Sequence, residues 1–142
     1  MDIEKWHPKL KGKDYKIIQT NEILEDFNCI AFVLDIYNEW YGSSTKNWTL
    51  NINRVPILEN YIKYFKTFGY DICDNDKYVD GVEKIAIYID ENKRVTHAAK
   101  QFNDKWRSKL GGSVIIEHKL EWLSGYDADN YGEIGVIMER NK

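Results

Sequence analysis

The chain has 142 residues, 43% of them hydrophobic, with five Trp, ten Tyr and five Phe. This length suits a single domain, 1–142, able to bury roughly 70% of its unfolded surface without a metal or disulfide staple. Twenty basic and 23 acidic side chains nearly cancel to a net charge of −3, which leaves no long-range field to attract DNA or RNA.

The opening segment, MDIEKWHPKLKGKDYK, lacks the apolar run of a signal peptide. No stretch approaches the roughly 20 apolar residues of a membrane span. A cytoplasmic location is expected, or export by a route that leaves no N-terminal mark, with no membrane partner. Cys29 and Cys73 form no CxxC pair and are expected as reduced thiols.

Residues 1–20 read as an irregular arm with a short strand at Tyr15–Gln19. Ile30, Val33, Leu34 and Tyr37 then recur at helical spacing, and Asp26 or Asn28 is placed to cap the first turn. Cys29 therefore falls in the first turn of a buried helix. Residues 38–53 show no period and read as a long loop, an uncommon feature unless it covers something. Pro56 opens a second helix whose inner face is Ile57, Leu58, Tyr61, Ile62, Phe65 and Phe68, closed by Gly69.

Strand signals fill the remainder. Glu83–Asp90 alternates, with Ile85, Ile87 and Ile89 on one face, and a short turn leads into Arg94–Phe102 as the second arm of a hairpin. Gly111 and Gly112 break the chain after Trp106–Leu110. A short helix or turn is expected around His118–Leu123, and Gly132–Glu139 reads as a final strand. Helices followed by an antiparallel sheet indicate an α+β fold.

A cysteine at a helix start has a built-in means of activation, because the free N–H groups and the helix dipole favour the thiolate. A thiolate nucleophile needs an imidazole to shuttle protons and a third group to orient that imidazole. His97, mid-strand beside Ala98 and Ala99, is the first choice of base. Glu83 and Gln101 are candidate orienters, provided that Ile85 pairs with Ala99. His118 is the second-choice imidazole, and His7 reads as solvated. Against this stands the ordinary reading, in which a cysteine on an apolar helix is packing. Trp40, Tyr41 and Trp48 have two readings also, as rings capping the core or as the wall of a cleft or binding surface. No metal is expected, since no ligand spacing supports one, and no cofactor motif occurs. The acidic clusters Asp74–Asp76 and Asp127–Asp129 read as solvated turns, the second short of the ligands of a calcium loop.

The order of Asn28-Cys29-Ile30-Ala31 and then a two-strand unit resembles the papain-like superfamily, in particular the NlpC-type peptidases and amidases. The segments N-C-I-A (28–31), F-x-x-F-G-Y (65–70), G-x-E-K-I-A-x-Y (81–88) and T-H-A-A-K-Q (96–101) look more closely like an uncharacterised bacterial family. Its members carry W-x-S-K-L-G and I-x-H elements, matched by Trp106–Gly111 and Ile116–His118. The first resemblance implies a papain-like (NlpC-type) core and a cysteine hydrolase or acyltransferase, with Cys29 forming a thioester and His97 as base. Peptide, isopeptide or amide bonds would be the substrates, in a toxin or effector setting. This chain departs from that pattern in carrying Glu83 and Lys84 where the base usually stands. The alternative from a different class is a non-catalytic binding module, of immunity or adaptor type, with a protein partner.

Overall fold

A computed structural model describes residues 3–127 and 130–142. The arm is more ordered in character than its sequence suggests. It forms α1 (Ile3–Trp6), a 3-10 turn at Pro8–Leu10 and β1 (Lys16–Ile18). Next come α2 (Cys29–Val33), α3 (Leu58–Lys66), β2 (Asp71–Cys73), β3 (Val82–Ile89) and β4 (Val95–Phe102). The chain ends with β5 (Lys105–Lys109), β6 (Ile115–His118), a 3-10 turn at Leu120–Leu123 and β7 (Glu133–Asn141).

The seven strands form one sheet in the order β1-β6-β5-β4-β3-β7-β2, with every neighbouring pair antiparallel. This is an α+β fold with few helices. β3 and β7 lie side by side over almost their whole length, so the last strand of the chain sits inside the sheet. The edges, β1 and β2, are only three residues long, which limits the unpaired backbone offered to other chains.

Side-chain alternation divides the interior in two. On one face Ile85, Ile87, Ala98 and Met138 meet α2, α3 and the loop 38–53, with Phe27, Tyr64 and Phe65 at the centre. On the other, Ala86, Tyr88, Ala99, Trp106 and Ile116 meet the N-terminal arm and the turn at Leu120–Leu123. Leu10, Phe65 and Leu123 are wholly enclosed. Each such side chain contributes roughly 1.5–3 kcal/mol relative to exposure.

Three expectations need correction. The helix at Cys29 stops at Val33 instead of running to Tyr37, because Asp35 takes a left-handed conformation, φ 60°, that ends it. On α3 Tyr61 and Phe65 are buried as expected and Leu58, Ile62 and, just past its end, Phe68 pack half-buried at the core margin, but the buried face also takes in Asn60 and Tyr64. β2 and β6 were too short to stand out as periodic segments. Finally, Ile85 pairs with Lys100 and Ala86 with Ala99, one residue away from the expected register. A slip of one position moves every side chain to the opposite face, which decides the fate of the expected site. Among the described residues no helix is long and apolar enough to cross a membrane.

Candidate functional site

Asn28 caps α2 as expected. Its Oδ1 accepts from the Ala31 N–H at 3.1 Å and from the Tyr41 N–H at 3.1 Å, while Nδ2 donates to the Tyr41 carbonyl at 2.7 Å. Cys29 follows in the first helical position, half-buried against the α2–α3 face of the sheet. Burial pushes its thiol above the ordinary value, outweighing the Ala98, Ile30 and Cys29 backbone N–H groups and the more distant Lys109 ammonium. The helix start thus does supply N–H groups to sulfur, but a helix of five residues sums too few peptide dipoles to overcome desolvation. At neutral pH Cys29 is a thiol.

Lys109 is the charged group whose field reaches Cys29. Its Nζ donates to the Phe27 carbonyl at 2.9 Å and the Gly111 carbonyl at 2.7 Å, 4.6 Å from the centroid of the Phe27 ring. Burial brings its ammonium down to about 8, with Cys29 pulling the other way. The two carbonyls engage the amine in tying β5 to the start of α2.

His97 lies on the other side of the sheet. It pairs across the strands with Tyr88 and stacks on Tyr131, ring centroids 4.0 Å apart and 7° from parallel. It is 1% exposed, and its Nε2 has no hydrogen-bond partner among the described residues. Burial holds its pKa well below 6.5, reinforced by His118 and His7. Its neighbour Ala98, pointing the opposite way, is the residue that meets the Cys29 core. The expected dyad of Cys29 and His97 is therefore not assembled: Cys29, on α2, lies against one face of the sheet and His97 extends from the other.

The expected orienters also part company. Glu83 is on the helix face, where its carboxylate takes Arg140 at 2.5 Å and Lys100 at 3.6 Å, Lys100 in turn reaching Asp35. Gln101 is on the His97 face, donating through Nε2 to the Asp76 carbonyl at 2.6 Å. Neither orients an imidazole. His118 is enclosed beside Ser108, whose hydroxyl donates to Nε2 at 2.6 Å, while Nδ1–H donates to the Lys119 carbonyl at 2.8 Å. Those partners fix the tautomer, and burial pulls His118 down to about 4. This serine–histidine contact was not anticipated. Ser108 and His118 share the inward face of β5 and β6 with Trp106 and Ile116, and only a correct assignment of β6 would have brought the two together. Both are at most 1% exposed, so the contact is closed to substrate. His7, expected to be solvated, is buried, its ring 5.3 Å from that of Tyr131.

The aromatic loop resolves unevenly. Trp48 is buried, stacked on Tyr64 at 4.1 Å and donating to the Ile52 carbonyl. Tyr41 packs at the core margin, and Trp40 is exposed while donating to the Glu25 carbonyl. Two of the three rings thus cap the core. Asp127 is exposed, and the rest of the Asp127–Asp129 cluster lies outside the described residues. Among the described residues no group of three or more His, Cys, Asp or Glu is arranged to hold a metal ion.

Among the grooves open to solvent, one of about 600 Å³ lies beside α3, lined by Ile57, Leu58, Ile62, Lys63, Lys66 and Lys93 together with Glu59 and Asn92. Comparison with known sequences finds one family model, described as "Domain of unknown function (DUF7689)", matching residues 18–139. No curated protein and no solved structure gives a significant match.

Proposed function

The chain belongs to that family of unknown function, and we propose from its own geometry that it is a non-catalytic binding module with a protein partner. One observation carries this reading: Cys29, on α2, packs against one face of the sheet, while His97 extends from the opposite face of β4 into the other core. Covalent catalysis needs nucleophile and base within hydrogen-bond reach of each other and of an open cleft. Here burial raises the thiol's pKa and the imidazole is enclosed, stacked on Tyr131 with Tyr88 beside it. Glu83, with Arg140 and Lys100, and Ser108, with His118, are likewise engaged across neighbouring strands. A papain-like core acting as a hydrolase through Cys29 is the reading set aside, since it needs a reactive thiolate.

Thiol chemistry tests the choice. In a Cys73→Ser background, Cys29 is expected to react with iodoacetamide slowly at pH 7.5 in the native protein and rapidly once urea unfolds it. Fast native alkylation, titrating with a pKa below about 7 as activated cysteines do, would instead restore the hydrolase.

A further inference from the structure

We infer that the groove beside α3 is a docking site for a short acidic peptide segment of a partner protein, anchored by an apolar side chain; this rests on the binding-module reading. The apolar stripe of α3 is wider than the part the fold covers. Tyr61, Tyr64 and Phe65 are buried, whereas Leu58 and Ile62, with Ile57 ahead of them, are half-buried and form the groove floor. Leu58 packs over Gly135 of β7, where a Cβ would stand 3.1 Å from Leu58 and 2.9 Å from Ile89; the missing side chain makes room for Leu58 against the sheet.

The frame is pre-formed. The Leu58 N–H donates to the Lys93 carbonyl at 3.0 Å and the Val95 N–H to the Pro56 carbonyl at 2.7 Å, tying the start of α3 to the β3–β4 turn. A site already held in its bound shape loses little conformational entropy on binding.

Charge selects the occupant. Lys63, Lys66 and Lys93 line the rim against one carboxylate, Glu59, which lies 3.6 Å from Lys63. The chain as a whole carries −3, so this rim reverses the overall sign. Complementary charge of that kind specifies partners and speeds encounter. From Leu58 to Lys66 the helix rises about 12 Å, the length of about four residues of extended peptide. A segment of Asp and Glu around one or two apolar side chains satisfies both floor and rim.

The test is selection of a display library of random short peptides against the intact protein. Recovered sequences are expected to place Asp or Glu on both sides of an apolar residue. Their affinity should fall at least about tenfold in Lys66→Glu/Lys93→Glu, as like charges are brought together. Amide shifts on binding should centre on Ile57, Leu58, Ile62 and Lys93. Recovery of no binders, sequences without acidic enrichment, or equal binding to the reversed-charge variant would overturn the proposal. So would self-association, or adsorption to phosphatidylserine vesicles, that the same variant abolishes while peptides fail to bind. Failure here with an inert Cys29 rejects this groove alone; a reactive Cys29 rejects the binding-module reading itself.

Discussion

His97 illustrates how a single residue can look catalytic and act as a structural cost. Its ring is stacked on Tyr131 and meets Tyr88 at a tilt, with a buried Nε2 that has no partner among the described residues. Leaving such an atom unsatisfied costs about 1–3 kcal/mol, whereas an apolar ring of the same shape incurs none of it. His97→Phe is therefore expected to be at least as stable as the wild type at pH 8. The pH dependence follows from linkage. His97 and His118 have folded pKa values below 6.5, His118 near 4, so below pH 6.5 the unfolded chain binds protons that the folded chain does not. Stability is full above about pH 6.5 and falls as the pH drops toward 4, by on the order of 3 kcal/mol for His118 alone. Urea unfolding of His97→Phe should show a larger gain at pH 5 than at pH 8. Equal gains at both pH values would mean that burial does not lower the pKa of His97.

At the scale of elements, Asn28 joins a helix to a loop. One side chain caps α2 through Ala31 and holds the backbone of Tyr41 from both sides. Losing a cap costs about 1 kcal/mol, and the two Tyr41 bonds add about 1 kcal/mol each. Asn28→Ala should lower unfolding free energy by about 2–3 kcal/mol, and Asn28→Asp by less, because the carboxylate keeps the cap while losing the donor. Chemical denaturation of the pair checks the order, which a purely packing role would not produce. The cap, the hairpin of β3 and β4 and the final strand were legible because their signals are local: a polar residue before an apolar helix, and period-two alternation over eight residues. Register was not legible. It depends on Lys93 turning with φ 60° and on an irregularity between Tyr88 and Ile89, neither of which composition announces. That single slip separated Glu83 from His97 and turned a proposed triad into two unrelated clusters. The groove beside α3 was hidden for a related reason, since an amphipathic pattern names an apolar stripe without saying how much of it the rest of the chain will cover.

The whole molecule is organised as two cores that share one sheet, and this makes the N-terminal arm a structural component. The arm lies ahead of the span matched by the family model, yet Ile3 and Leu10 are buried in the second core beside Leu120 and Leu123. β3 and β4 face both cores along their length, contributing Ile85 and Ala98 to one and Ala86 and Ala99 to the other. Packing lost on either face therefore weakens strands that the opposite core also requires. Leu10→Ala, at a site with no exposure, should cost about 2–5 kcal/mol, the range for a large-to-small change in a packed core. The loss should be global. With fluorotryptophan incorporated, Trp106 reports the arm side and Trp48 the α3 side, and both resonances are expected to follow one urea transition, displaced together in the variant. If Trp106 melts early while Trp48 keeps the wild-type midpoint, the faces are separable units and the arm is an appendage to the half that carries the groove.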